Sequence, residues 1–151
     1  MNPEFKTVDT GDAEAQQLIA ELDLDLNRRY PDAATNGIDV AEFRAAGGCF
    51  VVLRCDGDVI GCGAFRPVPE GGVEIKRMFV REAFRGRGWS RMILQHLEQV
   101  AKGRGFRRFL LETGAGQPEA IGLYESAGYR RIPNYGHYAG NPESVCFAKE
   151  A

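Results

Sequence analysis

The chain has 151 residues, 44% hydrophobic and 26% charged, with a net charge of −2. That is enough chain for one domain around one sizeable core, expected to span residues 1–151. No apolar run approaches the ~20 residues of a membrane-spanning helix, and residues 1–12 lack the basic-then-apolar layout of a signal peptide, so a cytoplasmic protein without a membrane partner is expected.

The elements follow in order. Phe5 to Asp9 reads as a short strand. Thr10 can cap a helix from about Asp12 to Tyr30, with Leu18, Leu22 and Leu26 on one face. Residues 31–37 form a loop, and Asp39 looks like the N-cap of a short helix ending near Gly47. Strands at Cys49–Arg54 and Val59–Phe65 flank an Asp56-Gly57 hairpin signal. Val73–Val80 is the fourth strand, and Trp89–Lys102 is an amphipathic helix with Ile93, Leu97, Val100 and Ala101 inward. Phe106–Glu112 is the fifth strand. Pro118 opens a fourth helix, with Gln117 before it, and Ala120, Leu123, Tyr124 and Ala127 form its apolar stripe up to Gly128. Tyr129–Ile132 and Val145–Lys149 are the last strands, joined by an aromatic-rich loop at 133–142. Strands and helices mixed in this order make an α/β (α+β) sheet domain with helices on both faces.

Cys49, Cys55, Cys62 and Cys146 form no C-x-x-C pair, and His96 and His137 are the only histidines. A metal site is therefore not expected, and the cysteines read as buried free thiols. Charge is uneven: residues 76–108 carry a local +8 and the remainder a local −10. The basic zone is either a solvated helix face or a place for an anionic ligand. The acidic remainder argues against a dedicated nucleic-acid binder, although Arg85, Arg87, Arg91, Arg104, Arg107 and Arg108 would be the residues for one.

The turn Arg85-Gly86-Arg87-Gly88-Trp89-Ser90 lies between the fourth strand and the third helix. A glycine-rich turn that opens a helix presents backbone N–H groups at the positive end of the helix dipole, which suits a diphosphate. A dinucleotide fingerprint would need glycine where Arg91 stands, and no G-x-x-x-x-G-K-S/T string exists for a P-loop. The remaining pattern, R/Q-x-x-G-x-G/A with Ser90 at its end, resembles the acyl-CoA signature of the GNAT superfamily of N-acetyltransferases. Val73 to Val80 resembles that family's fourth strand, and Ala120 to Tyr129 (A-I-G-L-Y-E-S-A-G-Y) resembles its C-terminal motif.

The resemblance implies a mixed, mostly antiparallel sheet of six to seven strands flanked by four helices, splayed between the fourth and fifth strands. It implies acetyl-CoA as co-substrate, held by Met78, Phe79, Val80, Arg85, Gly86, Arg87, Gly88, Trp89, Ser90 and Gln117. A backbone N–H near Met78 would polarise the thioester carbonyl. Tyr124 would protonate the leaving thiolate, or else is simply core. Glu74 is the candidate base, or else a structural strand glutamate paired with Arg66 or Lys76. The acceptor would enter over Arg28, Arg29 and Tyr30 and over Tyr135, His137 and Tyr138, although the two arginines equally suit a solvated helix end. His96 reads as surface. The expected activity is acetylation of a primary amine on a small molecule. A protein or peptide N-acetyltransferase, and a silent acyl-CoA sensor, are the alternatives. A homodimer stays open, since many relatives dimerise.

Overall fold

The computed structural model describes residues 2–29, 40–69 and 71–151. Its strands are β1 (Pro3–Val8), β2 (Cys49–Cys55), β3 (Asp58–Pro67), β4 (Val73–Val80), β5 (Arg108–Gly114), β6 (Arg130–Ile132) and β7 (Ser144–Glu150). Its helices are α1 (Ala13–Arg29), α2 (Val40–Ala45), α3 (Trp89–Gly103) and α4 (Pro118–Ser126). Single 3-10 turns at Glu82–Phe84 and Gly136–Tyr138 were not signalled by the sequence pattern. Tyr30 and Asp39, expected as the end of one helix and the cap of the next, lie outside the described residues.

The strands form one mixed sheet in the order β1-β2-β3-β4-β5-β7-β6. All neighbours are antiparallel except β4 and β5. Both faces are covered, so alternate residues of one strand enter different cores. On β2, Val51 and Leu53 join Ile93, Leu94 and Leu97 of α3, with Phe109, Leu111 and Phe147 of the sheet. Phe50 and Val52 point the other way, to Leu18, Ile19 and Leu22 of α1 and Phe43 of α2. The four cysteines are free and buried, and burial raises each thiol above its ordinary pKa, Cys62 to about 12. Such thiols are poor nucleophiles.

Two irregularities position the site. The β4–β5 pairing is short: Val73, Glu74 and Ile75 lie beside Phe109, Leu110 and Leu111, and there the pairing stops. Both strands continue, β4 to Val80 and β5 to Gly114, so a gap opens within the sheet. The second is a bulge in β4. Cys62 faces Phe79 and Ala64 faces Lys76, so one extra residue sits on the β4 side. Arg77 takes it up at φ +55°, a left-handed backbone for a non-glycine residue. Its carbonyl accepts a 3.4 Å bond from the Cys62 thiol, and its side chain is tied to Asp23 of α1 at 2.7 Å.

The fifth strand begins at Arg108, two residues after the sequence suggests. Phe106 is still part of the helix end, since its N–H donates to Ala101 O. His96, read as surface, is half-buried and stacked on Phe5 of β1, with ring centroids 4.0 Å apart. Among the described residues no helix is long and apolar enough to cross a membrane, and no cluster of His, Cys, Asp and Glu is arranged to hold a metal.

Candidate active site

A cleft of about 920 Å³ runs through the gap where β4 and β5 part. Its walls come from β4, the Arg85–Ser90 turn, the end of β5, α4 and the loop before β7.

The turn is built by two left-handed glycines, Gly86 at φ +80° and Gly88 at φ +82°. An L residue at either would be strained. Gly88 is the N-cap of α3 and no side chain caps that end. Gly86, Gly88, Trp89 and Ser90 all line the cleft, so the uncapped first turn of α3 and its dipole border it. Trp89 is only 6% exposed, and among the described residues its indole N–H has no hydrogen-bond partner. A buried donor without a partner costs about 1–3 kcal/mol.

Arg85 lines the cleft too. Its Nε donates to Val80 O at 2.9 Å, its guanidinium lies 3.4 Å from Asp25, and it covers the Phe79 ring. It thereby ties the end of β4 to α1, its charge offset by Asp25. Arg87 is exposed and not on the cleft wall. Met78, Phe79 and Val80 line the cleft just past the bulge, and Gln117 lines it at the start of α4.

Tyr124 projects from α4 into the same space. It is 6% exposed, edge-on to Tyr129 and tilted against Phe147. Burial, helped by the charge of Glu112, pushes its phenol well above the ordinary value. The group therefore stays protonated at neutral pH.

Glu74 is 2% exposed and does not line the cleft. Its carboxylate accepts a 2.6 Å bond from the Tyr135 hydroxyl and pairs with Arg66 Nε at 3.4 Å and Lys76 Nζ at 3.5 Å. Of the expected acceptor-side residues, His137 and Tyr138 line the cleft, while Tyr135 reaches Glu74 from the same turn. Arg28 is exposed on α1 and not on the wall. The side chain of Arg29 and the whole of Tyr30 lie outside the described residues.

Two further charged groups line the cleft. Lys76 lines the wall, and burial lowers its pKa against the raising effect of Glu74. Glu112 lines it from β5, accepting a 2.6 Å bond from Ser144 Oγ. In the sequence Glu112 is one polar residue at the end of an apolar strand, and only the parting of the strands gives it a cavity to face.

A sheet that opens between two parallel strands, with an uncapped helix end on one side of the opening and a protonated tyrosine within it, defines an acyltransferase of the acyl-CoA type. The chain belongs to the acetyltransferase (GNAT) family, whose sequence profile matches residues 14–129. It is 37% identical to an IAA acetyltransferase of Azospirillum brasilense over 88% of each chain. A solved Klebsiella pneumoniae structure, provisionally assigned as an acyl-CoA N-acyltransferase, superposes with a TM-score of 0.85 at 29% identity, covering 98% of this chain and 97% of that one. A GNAT acetyltransferase of Elizabethkingia anophelis, solved with acetyl-CoA bound, shares the fold at a TM-score of 0.74 and 18% identity over 99% of each chain.

Proposed function

We propose that this enzyme moves an acetyl group from acetyl-CoA to a primary amine of a small molecule, by direct attack with both substrates bound. The observation that carries the reading is the cleft itself: one continuous space borders the first turn of α3 and reaches Tyr124 and the acceptor-side loop. The residues present fit acetyl-CoA. The left-handed glycines leave the backbone of the turn open to phosphate oxygens, and the Arg85 guanidinium lies on the same wall.

Bound there, acetyl-CoA supplies an activated carbonyl and a thiolate leaving group. The backbone past the Arg77 bulge, at Met78, lies on the wall where a carbonyl oxygen would be polarised, a contribution of about 3 kcal/mol for a well-aimed donor. Tyr124 holds the proton that the departing sulfur needs. A small acceptor is supported by the turn at Gly136–Tyr138 and by Asn141 and Glu143, which wall the cleft on the acceptor side.

The test is thiol release from acetyl-CoA against a panel of amino acids, polyamines, arylalkylamines and short peptides, with products verified by mass spectrometry. Turnover confined to small amines is the expected result. Turnover confined to peptides would move the assignment to a protein N-acetyltransferase. Acetyl-CoA binding without turnover on any amine would make the chain a sensor.

A further inference from the structure

Glu112 occupies the first position of β5 beyond Leu111, the last β5 residue paired with β4, through Ile75. It is half-buried and shares the cleft wall with Tyr124. Ser144, 3% exposed, donates to its Oε2 from β7 at 2.6 Å. The two strands are in continuous antiparallel register here, Glu112 beside Cys146 and Gly114 beside Ser144. The carboxylate is therefore fixed by a rigid pair of strands rather than by a loop. Glu74 has two cations for company. Among the described residues no Lys or Arg lies within ion-pair distance of Glu112, and a neutral hydroxyl holds it. Lys76 and His137 act on it only from a distance, so the carboxylate has no cation in direct contact, and an ammonium is the cation that an amine acceptor brings.

We propose that Glu112, oriented by Ser144, binds the ammonium group of the acceptor and takes its proton. This rests on the acetyltransferase reading above. The acceptor R–NH3+ gives one proton to Glu112. The freed lone pair on nitrogen bonds to the acetyl carbon, the carbon–sulfur bond breaks, and the sulfur leaves with the phenolic proton of Tyr124. The surplus proton on the amide nitrogen restores the phenol, and Glu112 releases its proton to water. Ammonium and thioester thus give amide, thiol and one proton.

The groups facing Glu112 are Glu74 and Lys76 from β4, His137 and Tyr138 from the 3-10 turn, Tyr124 from α4, and Ser144 and Cys146 from β7. Burial raises the Glu112 pKa and is the largest influence; Ser144 opposes it, Glu74 reinforces it, and the positive charges of His137 and Lys76 oppose it more weakly. A raised carboxyl is a better proton acceptor near neutrality. It also has a cost in stability: with the folded pKa above the unfolded one, the stability it contributes is complete below the ordinary glutamate range and is lost as pH rises through the folded value.

The experiment compares wild type, Glu112→Gln and Glu74→Gln, with ethylamine and L-aspartate as acceptors. Ethylamine needs no recognition beyond its ammonium group. Glu112→Gln is expected to lose about 100-fold in thiol release at neutral pH and to close most of that gap by about pH 10, where free amine is abundant. Its acetyl-CoA thermal shift is expected to match wild type. In urea, its midpoint relative to wild type is expected to rise as pH climbs from the ordinary carboxylate range to neutrality. Equal rates, a loss uniform across pH, or a neutral-pH midpoint below wild type would each overturn the proposal. So would the pH-dependent loss appearing in Glu74→Gln alone, or acetyl-CoA binding with no acetylation of either amine. An absent acetyl-CoA thermal shift in wild type would instead remove the acetyltransferase reading beneath it.

Discussion

At Tyr124 a single hydroxyl separates two roles. The ring lies on the apolar stripe of α4 and packs against Tyr129 and Phe147, which a phenylalanine would do as well. The hydroxyl belongs to the cleft and keeps its proton because burial and Glu112 oppose ionisation. Tyr124→Phe is therefore expected to cut turnover about 100-fold, the lower end of what a positioned general acid contributes. Acetyl-CoA affinity by calorimetry and the urea midpoint should stay close to wild type; unchanged turnover would return the residue to the core. The place of Tyr124 on an apolar helical stripe was legible in the sequence because its helix and motif are local. The position of Glu112 on the cleft wall was not, because it depends on where β5 leaves β4, and that depends on pairings far along the chain. Glu74 was visible as a candidate, yet its partner Tyr135 lies 61 residues away, beyond the reach of strand periodicity.

Among elements, the turn into α3 concentrates the most geometry in the fewest residues. A Cβ at Gly88 would meet no atom within 4 Å, so substitution there costs only backbone strain. Gly88→Ala at φ +82° is expected to lose about 1–2 kcal/mol in urea unfolding and to weaken acetyl-CoA binding as the turn relaxes. Gly103→Ala is the control. It lies at the end of the same helix, meets nothing within 4 Å and has ordinary backbone, so helix propensity should stabilise the protein by about 1 kcal/mol with binding unchanged. Equal effects of the two would mean that the left-handed turn has no part in the site. The basic zone around this turn was plain in the sequence, but its neutralisation was not. Glu21, Asp23 and Asp25 of α1 pair with Arg81, Arg77 and Arg85, so much of the local positive charge clamps α1 to β4 and to the segment that follows it. Breaking one clamp, Asp23→Ala, leaves the 6%-exposed side chain of Arg77 without that partner and is expected to cost about 2 kcal/mol.

Across the whole molecule, the parting of the sheet decides how the ligand and the fold are coupled. β1 to β4 form one antiparallel block and β5, β7 and β6 another. Within the sheet they meet along three residue pairs only, with α3 packed on the first block through β3 and β4. The class of the fold was readable from alternating strands and helices, and the splay between the fourth and fifth strands from the family resemblance alone. The placing of β7 between β5 and β6 was not, because it inverts chain order. A ligand in the gap touches both blocks, from Met78 to Val80 on one side and from Gly114 and Tyr124 on the other, so its binding energy adds directly to cohesion between them. At 100 times its Kd, acetyl-CoA is expected to stabilise the fold by about 2.7 kcal/mol. For a chain of this size that corresponds to a rise in Tm of roughly 5–10 °C. Hydrogen exchange should slow at the unpaired end of β4 and the first turn of α3 more than in β1 and β2, which are remote from the gap. A uniform slowing, or no shift at millimolar acetyl-CoA, would show that the opening between β4 and β5 is not where the ligand's binding energy enters the fold.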